Sequence, residues 1–123
     1  MVKKLILAGL LTFCISCLGQ DFLGMSETDR LEFVLKERQE LDKELNRVYS
    51  DLRKVVSKEE FELIKEAQLK WLQFYSAQND VRILLLSKTE GSLNRFLLEL
   101  DYNDILRNRI DDLRELLDFQ ESR

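Results

Sequence analysis

The chain contains no histidine and no proline, and only four glycines and two cysteines in 123 residues. Without histidine, the commonest general base and the commonest neutral metal ligand are missing, which excludes catalytic triads and most zinc sites. Both cysteines, Cys14 and Cys17, stand in the first twenty residues, so the rest of the chain cannot be a disulfide framework. Positive charge is not in excess either. The 19 basic and 23 acidic residues give a formal charge of −4, which is no footprint for nucleic acid. No glycine-rich phosphate loop, metal-ligand spacing or nucleophile beside a base occurs. The composition therefore predicts a binding protein and not an enzyme, with no cofactor and no metal, in a single domain.

The N-terminus reads as an export address. Met1-Val2-Lys3-Lys4 is a short basic start, followed by an uncharged run from Leu5 to Ser16 and then by Cys17-Leu18-Gly19-Gln20. This is the shape of a secretory signal peptide, because a membrane span needs about 20 apolar residues and this run is shorter. Cys17 follows the small Ser16 at the end of the run and resembles the lipobox cysteine that is diacylated and becomes the first residue. Cys14 departs from that pattern, standing where leucine is usual, and cleavage after Gly19 is the alternative. Residues 1–16 thus read as a lipoprotein-type signal peptide, 17–25 as a tether and 26–123 as the folded domain, exported and either lipid-anchored or periplasmic. Removal of residues 1–16 takes away Lys3 and Lys4 and no acid, which moves the formal charge from −4 to −6.

From Ser26 onward the only glycine is Gly91, and apolar residues recur at helical spacing. Ser26 followed by Glu27 and Asp29 offers an N-cap and an acidic first turn. After it, Leu31, Val34, Arg38, Leu41, Leu45, Val48, Leu52 and Val55 keep a three-four rhythm that Arg38 alone interrupts. Ser57 with Glu60 forms a capping box that opens a second helix. Its predicted stripe is Ile64, Ala67, Trp71, Phe74, Gln78, Val81 and Leu85. The break at residues 87–92 precedes a third helix with Leu93, Leu97, Leu100, Leu106, Ile110, Leu113 and Leu117. Asp101-Tyr102-Asn103-Asp104 is a polar interruption expected to kink or fray it. The short turns predict an all-α, antiparallel up-down-up bundle of three long helices. Pairing of the first helix with a second copy is the architectural rival, since one polar residue in a seam often sets register.

Residues 63–79, with Ala67-Gln68, Trp71 and Phe74, resemble the pattern L-x-x-A-Q-x-x-W-x-x-F/Y-R-D-A-x-C of the lysozyme inhibitor LprI-like family of small secreted bacterial domains. The likeness extends to Leu45, Asn46, Tyr49 and Leu52 upstream, and to Gly91, Ser92, Arg109 and Leu113 downstream. The family's cysteine pair is replaced here by Asn79 and Asp101, and its Arg-Asp by Tyr75-Ser76. The resemblance implies a stability drawn from core packing in place of a disulfide, with an Asn79–Asp101 hydrogen bond as the substitute to look for.

Two functions follow as expectations. By resemblance the chain is an envelope protein that binds and inhibits lysozyme or another cell-wall hydrolase, with residues Lys88, Thr89, Glu90, Gly91 and Ser92 as the turn that meets the partner. The alternative is a helical scaffolding or coiled-coil module acting through a homodimer. Trp71 is expected in the core, and the acidic clusters Glu59-Glu60 and Asp111-Asp112 on a solvated face, because adjacent helical positions diverge.

Overall fold

A computed structural model describes residues 24–88 and 92–123. The predicted signal peptide, Cys17 and most of the tether lie outside these residues, as do Thr89, Glu90 and Gly91 of the predicted turn. The side chains of Ser92 and Leu93 are likewise outside. Three helices carry the fold: α1 over Glu27–Val55, α2 over Lys58–Leu86 and α3 over Ser92–Glu121. There is no strand among the described residues. The expected all-α, up-down-up arrangement is what forms, with helices of 29, 29 and 30 residues, each roughly 45 Å long at about 1.5 Å per residue.

Local chemistry sets the helix ends. Ser26 accepts from the Asp29 amide at 3.2 Å and Ser57 from the Glu60 amide at 3.1 Å, each satisfying a first-turn donor. Only the serine half of the predicted capping box forms. Val56 and Ser57 alone separate α1 from α2, and the Val56 amide returns to the Leu52 carbonyl at 3.2 Å.

The three helices contribute unequally. Leu45, Val48 and Leu52 of α1 form one cluster with Leu106, Ile110 and Leu113 of α3, and Val34 and Phe96 are buried on the same two helices, whereas α2 buries only Tyr75. The α1 stripe runs as predicted up to its last member, Val55, which is exposed. It is covered by α3 of the same chain, so the seam expected to receive a second copy is already filled.

Two other expectations are corrected. The α2 face that turns inward is Ile64, Gln68, Trp71, Tyr75, Asn79, Arg82 and Leu86, while Ala67, Phe74, Val81 and Leu85 of the predicted stripe are exposed. On α3, Leu97 is exposed and the polar interruption neither kinks nor frays the helix, which is continuous through it. Asn103 lies fully buried there, because the core supplies it with hydrogen-bond partners.

Candidate functional site

The inward face of α2 meets the α1–α3 pair through stacked rings. Trp71 stacks on Tyr75 with centroids 4.9 Å apart and planes at 13°, and Tyr75 stacks on Tyr102 at 4.0 Å and 28°. A guanidinium closes each end: Arg109 lies 5.7 Å from the Trp71 centroid and Arg38 lies 4.3 Å from that of Tyr102. The result is one ladder, Arg109–Trp71–Tyr75–Tyr102–Arg38, crossing all three helices, with cations over the negative faces of the terminal rings. Tyr75 also donates its hydroxyl to the Tyr102 carbonyl at 3.4 Å. Burial pushes the Tyr75 phenol well above its ordinary range, and the adjacent Tyr102 pushes it in the same direction.

Both terminal arginines are held by further bonds. Arg109 Nε donates to Gln68 Oε1 at 2.9 Å, which ties α3 to α2, and desolvation lowers the Arg109 pKa from its ordinary value. Arg38 donates to Asn103 Oδ1 at 3.1 Å and to the Glu99 carbonyl at 3.0 Å, and it forms an ion pair with the Glu99 carboxylate at 2.5 Å. Asn103 Nδ2 in turn donates to the Val34 carbonyl at 3.0 Å and to Glu37 Oε2 at 2.9 Å. Glu37 also receives Arg107. Arg38, read in the sequence as a register device between chains, is thus neutralised and hydrogen-bonded within one chain.

Of the residues carrying the family pattern, Gln68, Trp71 and Arg109 come together in this cluster. Leu45 is core, and Tyr49 meets Phe61 across the α1–α2 turn with centroids 5.2 Å apart. Asn46, Ala67 and Phe74 are exposed and join neither group. Asn79 is half-buried and Asp101 exposed, and no hydrogen bond links them, so the substitute for the missing disulfide is not a polar pair. The sequence reading missed Tyr75, Tyr102 and Asn103. Counting back from Leu106 in steps of three and four reaches Asn103, Glu99 and Phe96, and that rhythm was the available signal.

Two grooves lie on the surface, and the second adjoins the Arg38–Tyr102 end of the ladder. One, of about 550 Å³, lies at the α1–α2 turn between Tyr49, Arg53, Val56, Phe61 and Lys65. The other, of about 420 Å³, lies towards the α2–α3 turn between Arg38, Asn79, Ile83, Arg95, Leu98, Glu99 and Tyr102. No group of three metal-ligating side chains occurs among the described residues.

Charge is distributed unevenly. The α3 helix carries Glu99, Asp101, Asp104, Asp111, Asp112, Glu115, Asp118 and Glu121 against Arg95, Arg107, Arg109 and Arg114. Glu99 pairs with Arg38, Asp104 with Arg107 and Asp111 with Arg114, while Asp101, Asp112, Asp118 and Glu121 are exposed acids along α3, so its outer side is acidic in balance. No described helix is long and apolar enough to cross a membrane.

No curated protein and no solved structure is significantly similar to this chain. Residues 24–113, which span the ladder and all but the end of α3, match the family model described as Lysozyme inhibitor LprI, and the chain belongs to that family.

Proposed function

We propose that this chain is an exported envelope protein that binds and inhibits lysozyme or a related cell-wall hydrolase. The match of residues 24–113 to the lysozyme inhibitor family carries this reading. Two physical features support it. C-type lysozymes are strongly basic, and the acidic outer side of α3 would steer such a partner towards it. The α2–α3 turn is less acidic: Lys88 and Glu90 offset each other there, and Arg95 is exposed just inside α3. Residues Lys88 to Ser92 are the segment proposed to enter the carboxylate-lined cleft, with the exposed Arg95 beside it. In this reading residues 1–16 are the export signal, and acylated Cys17 or cleavage after Gly19 decides whether the domain is tethered or free.

The deciding experiment titrates residues 20–123 into a lysozyme turnover assay at low and high salt. Inhibition at about micromolar protein is expected, weakening as salt screens the long-range attraction. Arg95→Glu should weaken inhibition further. Unchanged hydrolysis at low salt would remove the proposal for c-type enzymes.

A further inference from the structure

The α2 helix leaves its most apolar stripe in water. Leu63 is 69% exposed, Phe74 60%, Val81 51% and Leu85 57%, with the exposed Ala67 between them. On a helix these five residues fall on one narrow line. Each large side chain, if buried, would contribute roughly 1.5 to 3 kcal/mol, yet the chain turns Gln68, Tyr75, Asn79 and Arg82 inward instead. A face of this kind has a use only when something covers it.

The spacing identifies the cover. The stripe is a palindrome centred on Phe74. In an antiparallel pair of α2 helices related by a two-fold axis at Phe74, Phe74 meets its own copy, Ala67 meets Val81 and Leu63 meets Leu85. The same two-fold brings Glu60, in the first turn of α2, to the end of the partner helix where Lys88 follows just past Leu86, so opposite charges neighbour each other at both ends. Lys70 falls opposite Gln78, so no like charges meet along the line. Self-complementarity in both apolar and charged positions is what an isologous contact requires. We infer that the exposed stripe of α2 is a homodimer interface, in which a second copy of this chain lies antiparallel across Phe74.

One helix face about 40 Å long covers less than the roughly 1,200 Å² of a standard stable interface, so the dimer should be weak, forming at micromolar concentrations or above. The tested fragment is residues 20–123, which contains every core residue and interhelical bond of the described fold and no cysteine. Sedimentation over a concentration series should show a monomer–dimer equilibrium. Phe74→Glu, which places two carboxylates at the axis, should weaken it by about tenfold or more while leaving the helical circular dichroism unchanged, since Phe74 is outside the core. Glu60→Lys and Lys88→Glu should each weaken the dimer, and the double variant should restore it. Register is read by disulfide trapping: Phe74→Cys alone should cross-link, and Leu63→Cys should cross-link with Leu85→Cys but not with itself.

A fragment that is monomeric at all concentrations would overturn the proposal. So would a dimer indifferent to Phe74→Glu, or a Leu63–Leu63 cross-link, which requires parallel helices. A monomer that binds phospholipid vesicles only with Phe74 intact would assign the stripe to a membrane surface instead.

Discussion

Arg38 donates from Nε to Oδ1 of Asn103 at 3.1 Å, joining the only charged residue of the α1 seam to the one fully buried polar side chain among the described residues. Each residue makes the other tolerable: the amide oxygen helps satisfy a guanidinium taken from water, and the guanidinium satisfies an amide that would otherwise be costly to bury.

Removing Asn103 is therefore expected to be severe. Asn103→Leu strands Arg38 Nε and takes a donor from Glu37 and a second donor from the Val34 carbonyl, at a cost of about 2 to 3 kcal/mol. In urea unfolding, Arg38→Met combined with Asn103→Leu should cost less than the two single losses added together, because the partners disappear together. Simple additivity would mean that the bond contributes nothing.

The α2 helix should open before the α1–α3 pair. It buries Tyr75 alone and is otherwise attached through the ladder and the Gln68–Arg109 bond. Native-state hydrogen exchange should show lower protection across α2 than across Leu45–Leu52 or Leu106–Leu113. Tyr75→Ala, expected to cost about 3 kcal/mol, should move the Trp71 fluorescence towards that of a solvated indole at denaturant concentrations where α1 and α3 remain helical.

Acid should weaken the fold in part through Glu44. The hydrogen bond from Arg47 is the largest influence, and with Arg114 it outweighs desolvation and holds the Glu44 carboxyl down to about 2. A folded pKa below the unfolded value of about 4.3 means a contribution that is complete above that value and is lost as pH falls towards 2. Glu44 sits near the surface, so the amount is about 1 kcal/mol or less. Glu44→Gln should therefore cost up to that amount at neutral pH, and its difference from the wild type should shrink as pH falls from about 4.3 towards 2.

Alkali acts on Tyr75 with the opposite sign. Its raised pKa gives a contribution fully present below the ordinary tyrosine range and lost as pH rises above it. Tyr75→Phe should therefore gain on the wild type as pH increases past about 10, which unfolding midpoints at successive pH values would measure. A constant difference between the two proteins would contradict the burial of this hydroxyl.

Asn79 and Asp101 should behave as strangers. Their alanine variants are expected to show stability losses that add within about 0.5 kcal/mol, since no bond joins the helices there.

Three-helix topology, the N-caps at Ser26 and Ser57 and the inward run of α1 up to Leu52 were legible in the chain itself, because capping and three-four periodicity are local properties. So was the grouping of Gln68, Trp71 and Arg109 as a set, through the family pattern, although nothing local said that they touch. The inward face of α2 was not legible. Two three-four tracks pass through Ile64 and Trp71: one continues to Phe74, Val81 and Leu85, the other to Tyr75, Asn79 and Arg82. Hydrophobicity favours the first, and the fold takes the second. The reason lies in another helix, where Tyr102 and Arg109 of α3 present a ring and a guanidinium that Tyr75, Trp71 and Gln68 meet. The burial of Asn103 has the same origin, since its partners come from Val34, Glu37 and Arg38, far away in the chain. Periodicity along one helix fixes which residues share a side; which side goes inward depends on what the neighbouring helices offer it.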